Sequence, residues 1–90
     1  MAINSKFRQQ LKAKAHKLNP IVQIGLNGLT EAVNIEIDRG LYDHEIIKIK
    51  INEPDREVRK AMLQEICKIH HAELVQAVGK IGVLYKVSDK

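Results

Sequence analysis

Apolar residues recur at helical spacing in three segments of this 90-residue chain, and short runs rich in β-branched residues separate those segments. This change of period restricts the fold more than any other feature, because it sets the type and order of the elements. The first helix is predicted over residues 5–18 and ends at Asn19-Pro20, because a residue before proline disfavours helical geometry. Residues 21–24 then predict a short buried strand.

Two further helices are predicted from the same spacing. The second has Thr30 as its cap and Glu31 in its first turn, while Gly40 weakens it. Its buried face is predicted to comprise Leu29, Val33, Ile37 and Leu41. The third begins at the cap Asp55 and runs to about residue 71. Its buried stripe is predicted to comprise Val58, Met62, Ile66 and Ile69.

Three more strands complete the pattern. Residues 45–51 favour a strand whose two lysines share the face opposite its isoleucines. Residues 73–78 and 83–87 favour two strands that the glycine-rich segment 79–82 joins as a hairpin. The predicted fold class is therefore α/β (α+β, two layers): an N-terminal helix followed by βαβαββ, with the helices packed on one mixed four-stranded sheet. Its length makes it one domain, residues 1–90.

Composition excludes several classes of protein. The longest apolar run is too short to cross a membrane, and the N-terminus has no secretory pattern. One cysteine cannot form an internal disulfide, so we expect a cytoplasmic protein in a reducing compartment. Cys67, His70 and His71 do not complete a zinc site, and Cys67 is expected to be a half-buried structural residue. No nucleophile, phosphate-loop or paired-carboxylate pattern supports catalysis, and no cofactor is expected.

The positive charge is concentrated in the first third of the chain. The net charge is +4, and residues 1–30 contain five cations and no acid. Within the first helix Arg8, Lys12 and His16 form one stripe, and Lys14 and Lys17 form a pair beside it. Such a helix is a candidate surface for a polyanion, although a merely solvated face has the same pattern. Its small apolar side favours packing on the sheet over lying on a membrane.

The loop Gly25-Leu26-Asn27-Gly28 joins the first strand to the second helix. Its two glycines permit close approach of a ligand to the backbone, and the following helix N-terminus favours an anion such as a phosphate. The alternative is an ordinary turn before a helix. Phe7, Tyr42 and Tyr85 are the only aromatic residues, and Phe7 and Tyr85 are expected in the core. Any nucleic acid would therefore be bound mainly through phosphates and shape.

Two stretches, residues 11–51 and 73–88, closely resemble the YhbY-type bacterial CRM domain (chloroplast RNA splicing and ribosome maturation). The most specific matches are Ala15-His16-Lys17-Leu18 with Pro20, the loop and cap at 25–30, and Leu84-Tyr85-Lys86. The resemblance implies a fold similar to the C-terminal domain of a bacterial translation initiation factor. It also implies RNA binding, and for stand-alone bacterial members an assembly role with precursors of the large ribosomal subunit.

The RNA surface of that family combines the GxxG loop with nearby basic residues. Mapped onto this chain, the resemblance implies RNA contacts at Lys6, Arg8, Lys12, Lys14, His16, Lys17, Gly25, Leu26, Asn27 and Gly28. Lys48 and Lys50 are secondary candidates because they share an exposed face of their strand. The family commonly has lysine where this chain has Leu26, which removes one phosphate contact. Lys86 keeps the charge of the usual arginine without its planar fork.

The leading hypothesis is a monomeric, non-enzymatic RNA-binding protein that has no small-molecule substrate and acts with ribosomal RNA of the large-subunit precursor. An alternative is a protein-interaction module that docks on a ribosomal protein or assembly factor, for which an exposed Leu26 would be suited. Charge reversal at Lys12 and Lys14 separates the two, because only RNA binding depends on those cations. A small nuclease is a third possibility.

Overall fold

Side-chain caps define where each helix begins in the computed structural model, which describes residues 3–88. Asn4 Oδ1 accepts from the Phe7 amide at 2.7 Å, and Thr30 Oγ1 accepts from the Val33 amide at 3.2 Å. Asp55 Oδ1 accepts from the Glu57 amide at 2.8 Å. These bonds satisfy first-turn amides that have no partner within a helix, which is why Thr30 and Asp55 could be recognised as caps in the sequence.

Residues 3–88 form three helices and four strands in the predicted order. The elements are α1 (Ser5–Ala15), β1 (Val22–Ile24), α2 (Glu31–His44), β2 (Ile46–Ile51), α3 (Arg56–His70), β3 (Glu73–Val78) and β4 (Ile81–Tyr85). The strands form one sheet in the order β1-β2-β4-β3. β1 and β2 are parallel and α2 connects them, whereas β4 is antiparallel to both β2 and β3. The predicted fold class and mixed sheet are confirmed.

The isoleucines of β2 separate the two faces of the sheet. Ile47, Ile49 and Ile51 are buried on the face that α2 and α3 cover, as their alternation with Lys48 and Lys50 predicted. The βαβαββ part thus has two layers. α1 packs on the opposite face, where its Leu11 and Ala15 are buried against Val75 and Val83. Phe7 and Tyr85, which were expected in the core, are half-buried and pack against this cluster, and their rings meet edge to face at 5.4 Å between centroids.

Three predicted boundaries were wrong. α1 ends at Ala15 rather than at residue 18, because the chain tightens into i→i+3 bonds from Lys17 to Lys14 and from Leu18 to Ala15. Leu18 is consequently exposed. The hairpin turn is Gly79-Lys80 alone, with Gly79 at a φ of 57°, and β4 begins at Ile81 and ends at Tyr85. Gly82 lies in the strand, where its lack of a side chain makes room for Leu63.

The predicted stripe of α3 was also wrong in part. Ile66 is buried and Met62 is half-buried, but Val58 and Ile69 are exposed. The buried residues of α3 are Leu63, Ile66 and His70. Both the predicted set and the buried set have helical spacing and share Ile66. Periodicity alone therefore did not distinguish these two overlapping faces of α3. Within residues 3–88 no helix has the length and apolar character that crossing a membrane requires.

Candidate functional site

The loop at residues 25–28 is a closed turn at the end of β1. The Gly28 amide donates to the Gly25 carbonyl at 3.1 Å, and the Thr30 amide donates to the Gly28 carbonyl at 3.0 Å. Gly28 has a φ of 66°, a conformation that favours glycine. Leu26, at the tip of the turn, is fully exposed. Gly25, Leu26 and Asn27 are all exposed, so the turn is accessible to solvent immediately before the N-terminus of α2.

Gly25 differs from Gly28 in that the fold does not require a glycine there. It has no positive φ, and a Cβ added to it would have no atom within 4 Å. The absence of a side chain leaves the backbone of the turn open to solvent. An anion approaching this turn meets peptide groups and the positive end of the α2 dipole, although the Glu31 carboxylate in the first turn opposes it.

The cations of α1 do not all serve the same surface. The Arg8 guanidinium turns toward β3, where its Nη1 donates to the carbonyls of Leu74 at 2.6 Å and Val75 at 3.0 Å. Those carbonyls lie at the bulge of this edge strand, so Arg8 stabilises the fold. Lys6 lies in the first turn of α1, and both Lys6 and Lys14 are exposed.

The C-terminal part of α1 contributes the cations that lie beside the sheet. Lys12 and His16 line a groove between α1 and the sheet, and Lys48 lies on its floor. Lys17 lines a neighbouring hollow on the other side of Lys48. Lys48 therefore lines both depressions, and it lies between the part of the surface formed by Lys12 and His16 and the part formed by Lys17.

Lys50 extends this positive surface toward the loop. It lies two residues beyond Lys48 on the same face of β2, a separation of about 7 Å. Its partner across the parallel ladder is Gln23, and β1 ends one residue later, where the loop begins. We call the surface formed by Lys12, His16, Lys17, Lys48, Lys50 and loop residues 25–28 the basic face. Lys48 and Lys50 are half-buried rather than exposed as predicted, because α1 packs on the same face of the sheet. The parallel β1-β2 pairing places Lys50 beside the strand that ends at the loop.

His70 serves the packing of α2 on α3 instead. Its Nε2 lies 3.0 Å from Asn34 Oδ1, and its Nδ1 lies 3.9 Å from Asp38 Oδ1. Burial lowers the pKa of His70, and the positive charge of Lys86 lowers it further, against an opposing effect of Asp38. The imidazole is consequently neutral near neutral pH and donates one hydrogen bond to Asn34.

Cys67 is half-buried, as predicted. Burial raises the pKa of its thiol, and the Glu73 carboxylate adds to the effect, so the thiol is a poor nucleophile at neutral pH. Among residues 3–88 no group of three or more histidine, cysteine or acidic side chains is placed to hold a metal ion. Lys86 lies at the end of the sheet away from the loop, where its amide donates to the Glu45 carbonyl at 2.9 Å.

The chain is similar to known proteins over nearly its whole length. The profile of the CRS1/YhbY (CRM) domain matches residues 3–86. The chain is 39% identical over 90 residues to "Probable RNA-binding protein PA4753" of Pseudomonas aeruginosa, covering all of this chain and 86% of that protein. It is 43% identical over 88 residues to an "RNA-binding protein" of Haemophilus influenzae, covering 98% and 89% of the two chains. The solution structure of SAV1595 from Staphylococcus aureus is similar, with a TM-score of 0.86, 29% identity and coverage of 99% and 93%.

Proposed function

This chain belongs to the CRS1/YhbY (CRM) domain family, and we propose that it is a non-enzymatic RNA-binding protein that uses the basic face. We propose further that its RNA is ribosomal and that it assists assembly of the large subunit. The first statement is supported by the geometry of the face and by the RNA-binding names of its relatives. The second is supported by the resemblance to stand-alone bacterial members of the family.

The observation that carries the proposal is the position of Gly25. The fold makes no use of a glycine there, yet its bare backbone lies at the end of the strand that neighbours Lys50. A phosphate group explains both features, because close approach to peptide amides needs the absence of a Cβ and the negative charge is stabilised by the neighbouring lysine.

The parts of the face have distinct roles in this mechanism. The loop backbone and the α2 N-terminus hold phosphate oxygens at short range. Lys12, Lys48 and Lys50 neutralise charge along the backbone and release counterions on binding. β2 fixes the two strand lysines relative to the loop, so the sheet orients the RNA. The exposed side chain of Leu26 adds apolar contact rather than charge at the tip.

Charge reversal tests the RNA-binding part. Lys48→Glu is expected to weaken the affinity for RNA by at least about tenfold, because it both removes a cation and repels phosphate. Lys68→Glu is the matched control, since it makes the same change of net charge at an exposed position on α3. Both affinities can be measured by fluorescence anisotropy at a fixed salt concentration. If they fall equally in the two variants, the basic face is not the binding site.

Sedimentation of native lysate through sucrose gradients tests the ribosomal part. We expect the protein to migrate with a large-subunit precursor at low salt and to leave that fraction at high salt, because phosphate contacts are screened. In the lysate of cells that express Lys48→Glu, co-migration should be lost at low salt too. Co-migration that persists in this variant would instead favour docking on a ribosomal protein or assembly factor.

A further inference from the structure

We infer that the groove between α1 and the sheet receives an unpaired base, so that the protein binds single-stranded RNA more tightly than duplex RNA. This inference rests on the proposed function and specifies its ligand. The groove is formed by Lys12, Ala15, His16, Lys48, Gln76, Val78, Ile81 and Val83. It opens on the same face of the sheet as Lys50, next to the cations that would hold the RNA backbone.

The ladder register shows how the floor of this groove is built. Lys48, Val83 and Gln76 lie side by side across β2, β4 and β3, and Val83 is buried under α1. Lys50, Ile81 and Val78 form the next row on the same face, about 7 Å further along the strands. Neither Ile81 nor Val78 belongs to the cluster that α1 buries: Ile81 is half-buried and Val78 is 58% exposed. The second row therefore forms an open aliphatic platform with a lysine at one end.

This combination of groups fits a nucleobase better than a phosphate alone. The faces of Ile81 and Val78 offer apolar contact to the flat surface of a base. Gln76 provides both a donor and an acceptor, and its side-chain amide has no hydrogen-bond partner among residues 3–88. None of the described residues that line the groove is acidic, and Lys12, His16 and Lys48 surround it. A base on the platform would thus leave its own phosphates beside cations.

The groove discriminates between RNA conformations for a geometric reason. In a duplex the flat faces of the bases are stacked on each other and only edges and backbone are accessible. A base can lie on Ile81 and Val78 only when it is unstacked, as in loops, bulges and single strands. Duplex RNA would contact the lysines of the basic face without filling the groove. The platform then adds affinity to single strands alone.

Binding of one single-stranded and one duplex RNA of equal length tests this inference. We expect the single strand to bind wild-type protein more tightly. Val78→Asn should weaken single-strand binding by about tenfold and leave duplex binding unchanged, because it removes apolar contact without a change of charge. Val58→Asn, at a 41% exposed valine on α3, is the matched control and should change neither affinity.

A second pair of variants tests the amide. Gln76→Glu should lower the ratio of single-strand to duplex affinity severalfold, because a carboxylate cannot donate a hydrogen bond to the base. Gln64→Glu makes the same charge change at an exposed site on α3 and should leave that ratio unaltered. Unfolding of each variant in urea shows whether the fold is intact.

The outcomes distinguish the two proposals. Equal affinities of wild-type protein for the two RNAs, or equal effects of Val78→Asn and Val58→Asn, would overturn the single-strand inference and leave RNA binding standing. A protein that binds neither RNA would refute the proposed function and this inference together. A groove occupied by a protein segment would leave both RNA affinities insensitive to Val78→Asn, which also overturns the inference.

Discussion

Arg8 and Lys12 lie one helical turn apart on α1 and were equivalent in the sequence, yet their surroundings differ. Arg8 donates two hydrogen bonds to carbonyls of β3, whereas Lys12 borders the groove. A guanidinium that holds a strand bulge has less freedom to follow a phosphate. Two cations of one helix thus differ in role: Arg8 stabilises the fold, and Lys12 lines a surface groove.

Neutral substitution of the two residues should separate stability from binding. Arg8→Gln is expected to lower the free energy of unfolding by about 1–3 kcal/mol, because it removes charged donors from two carbonyls. Lys12→Gln should change stability by less than about 0.5 kcal/mol but weaken RNA binding more than Arg8→Gln does. Urea unfolding and RNA titration of both variants provide the comparison. The reverse order of effects would show that Arg8 is an RNA contact.

Alanine substitution at the two loop glycines should affect different properties, RNA affinity for Gly25 and stability for Gly28. Gly25→Ala is expected to weaken RNA binding by about tenfold with little change in melting temperature, because the new Cβ meets no protein atom but blocks close approach to the backbone. Gly28→Ala should lower the free energy of unfolding by about 1 kcal/mol, because its positive φ disfavours a side chain. If Gly25→Ala binds RNA as wild type does, the turn is only a connection.

His70 should make the fold less stable in mild acid. The pKa of His70 is lowered from 6.5 in the folded state, so the unfolded chain binds its proton first as the pH falls. The contribution of His70 to the free energy of unfolding is therefore expected to be constant above about pH 7 and to decrease below 6.5, with a slope of at most about 1.4 kcal/mol per pH unit. His70→Gln should reduce this slope between pH 7 and 5.5 in denaturant titrations. An unchanged slope would show that groups other than His70 cause it.

Two buried glycines, Gly40 in α2 and Gly82 in β4, lie close to neighbouring side chains. A Cβ on Gly82 would lie 2.6 Å from Leu63 Cδ2, and Leu63 is only 5% exposed. A Cβ on Gly40 would lie 2.7 Å from Ile21 Cδ1, but the Ile21 side chain is 47% exposed and can turn away. Similar clashes thus have different consequences because only one neighbour has space to move.

Alanine substitution at these glycines tests this difference. Gly82→Ala is expected to lower the free energy of unfolding by about 1–3 kcal/mol, because α3 must shift relative to β4. Gly40→Ala should be within about 1 kcal/mol of wild type, because the higher helix propensity of alanine offsets the movement of Ile21. Thermal and urea unfolding provide the measurement. Equal losses would mean that the packing around Ile21 is as rigid as that around Leu63.

At the scale of the whole molecule, the basic face combines charges from distant parts of the sequence. Lys12 comes from the first helix and Lys48 from the middle of the chain, where acids outnumber bases. Both nonetheless line one groove. The net charge of each sequence segment therefore underestimates the positive potential of this surface. Alternation along β2 places its lysines on the face opposite the acidic helix α2.

Salt dependence should report this assembly of charges. In a plot of the logarithm of the binding constant for single-stranded RNA against the logarithm of salt concentration, the slope is negative. It is expected to become less negative by about 0.7 for each phosphate contact removed. Lys48→Gln and Lys50→Gln should each produce that change, whereas Lys68→Gln on α3 should leave the slope as in wild type. A wild-type affinity that does not depend on salt would exclude binding through phosphates.

The sequence determined the type and order of the elements, the caps Thr30 and Asp55 and the inward face of β2, because these depend on residues close together in the chain. The tertiary structure decided which face of α3 is buried, that Gly82 lies in a strand, and that Arg8 reaches β3. It also placed Lys48 and Lys50 between α1 and the loop. Each of these results depends on a contact between distant residues, which local spacing does not contain.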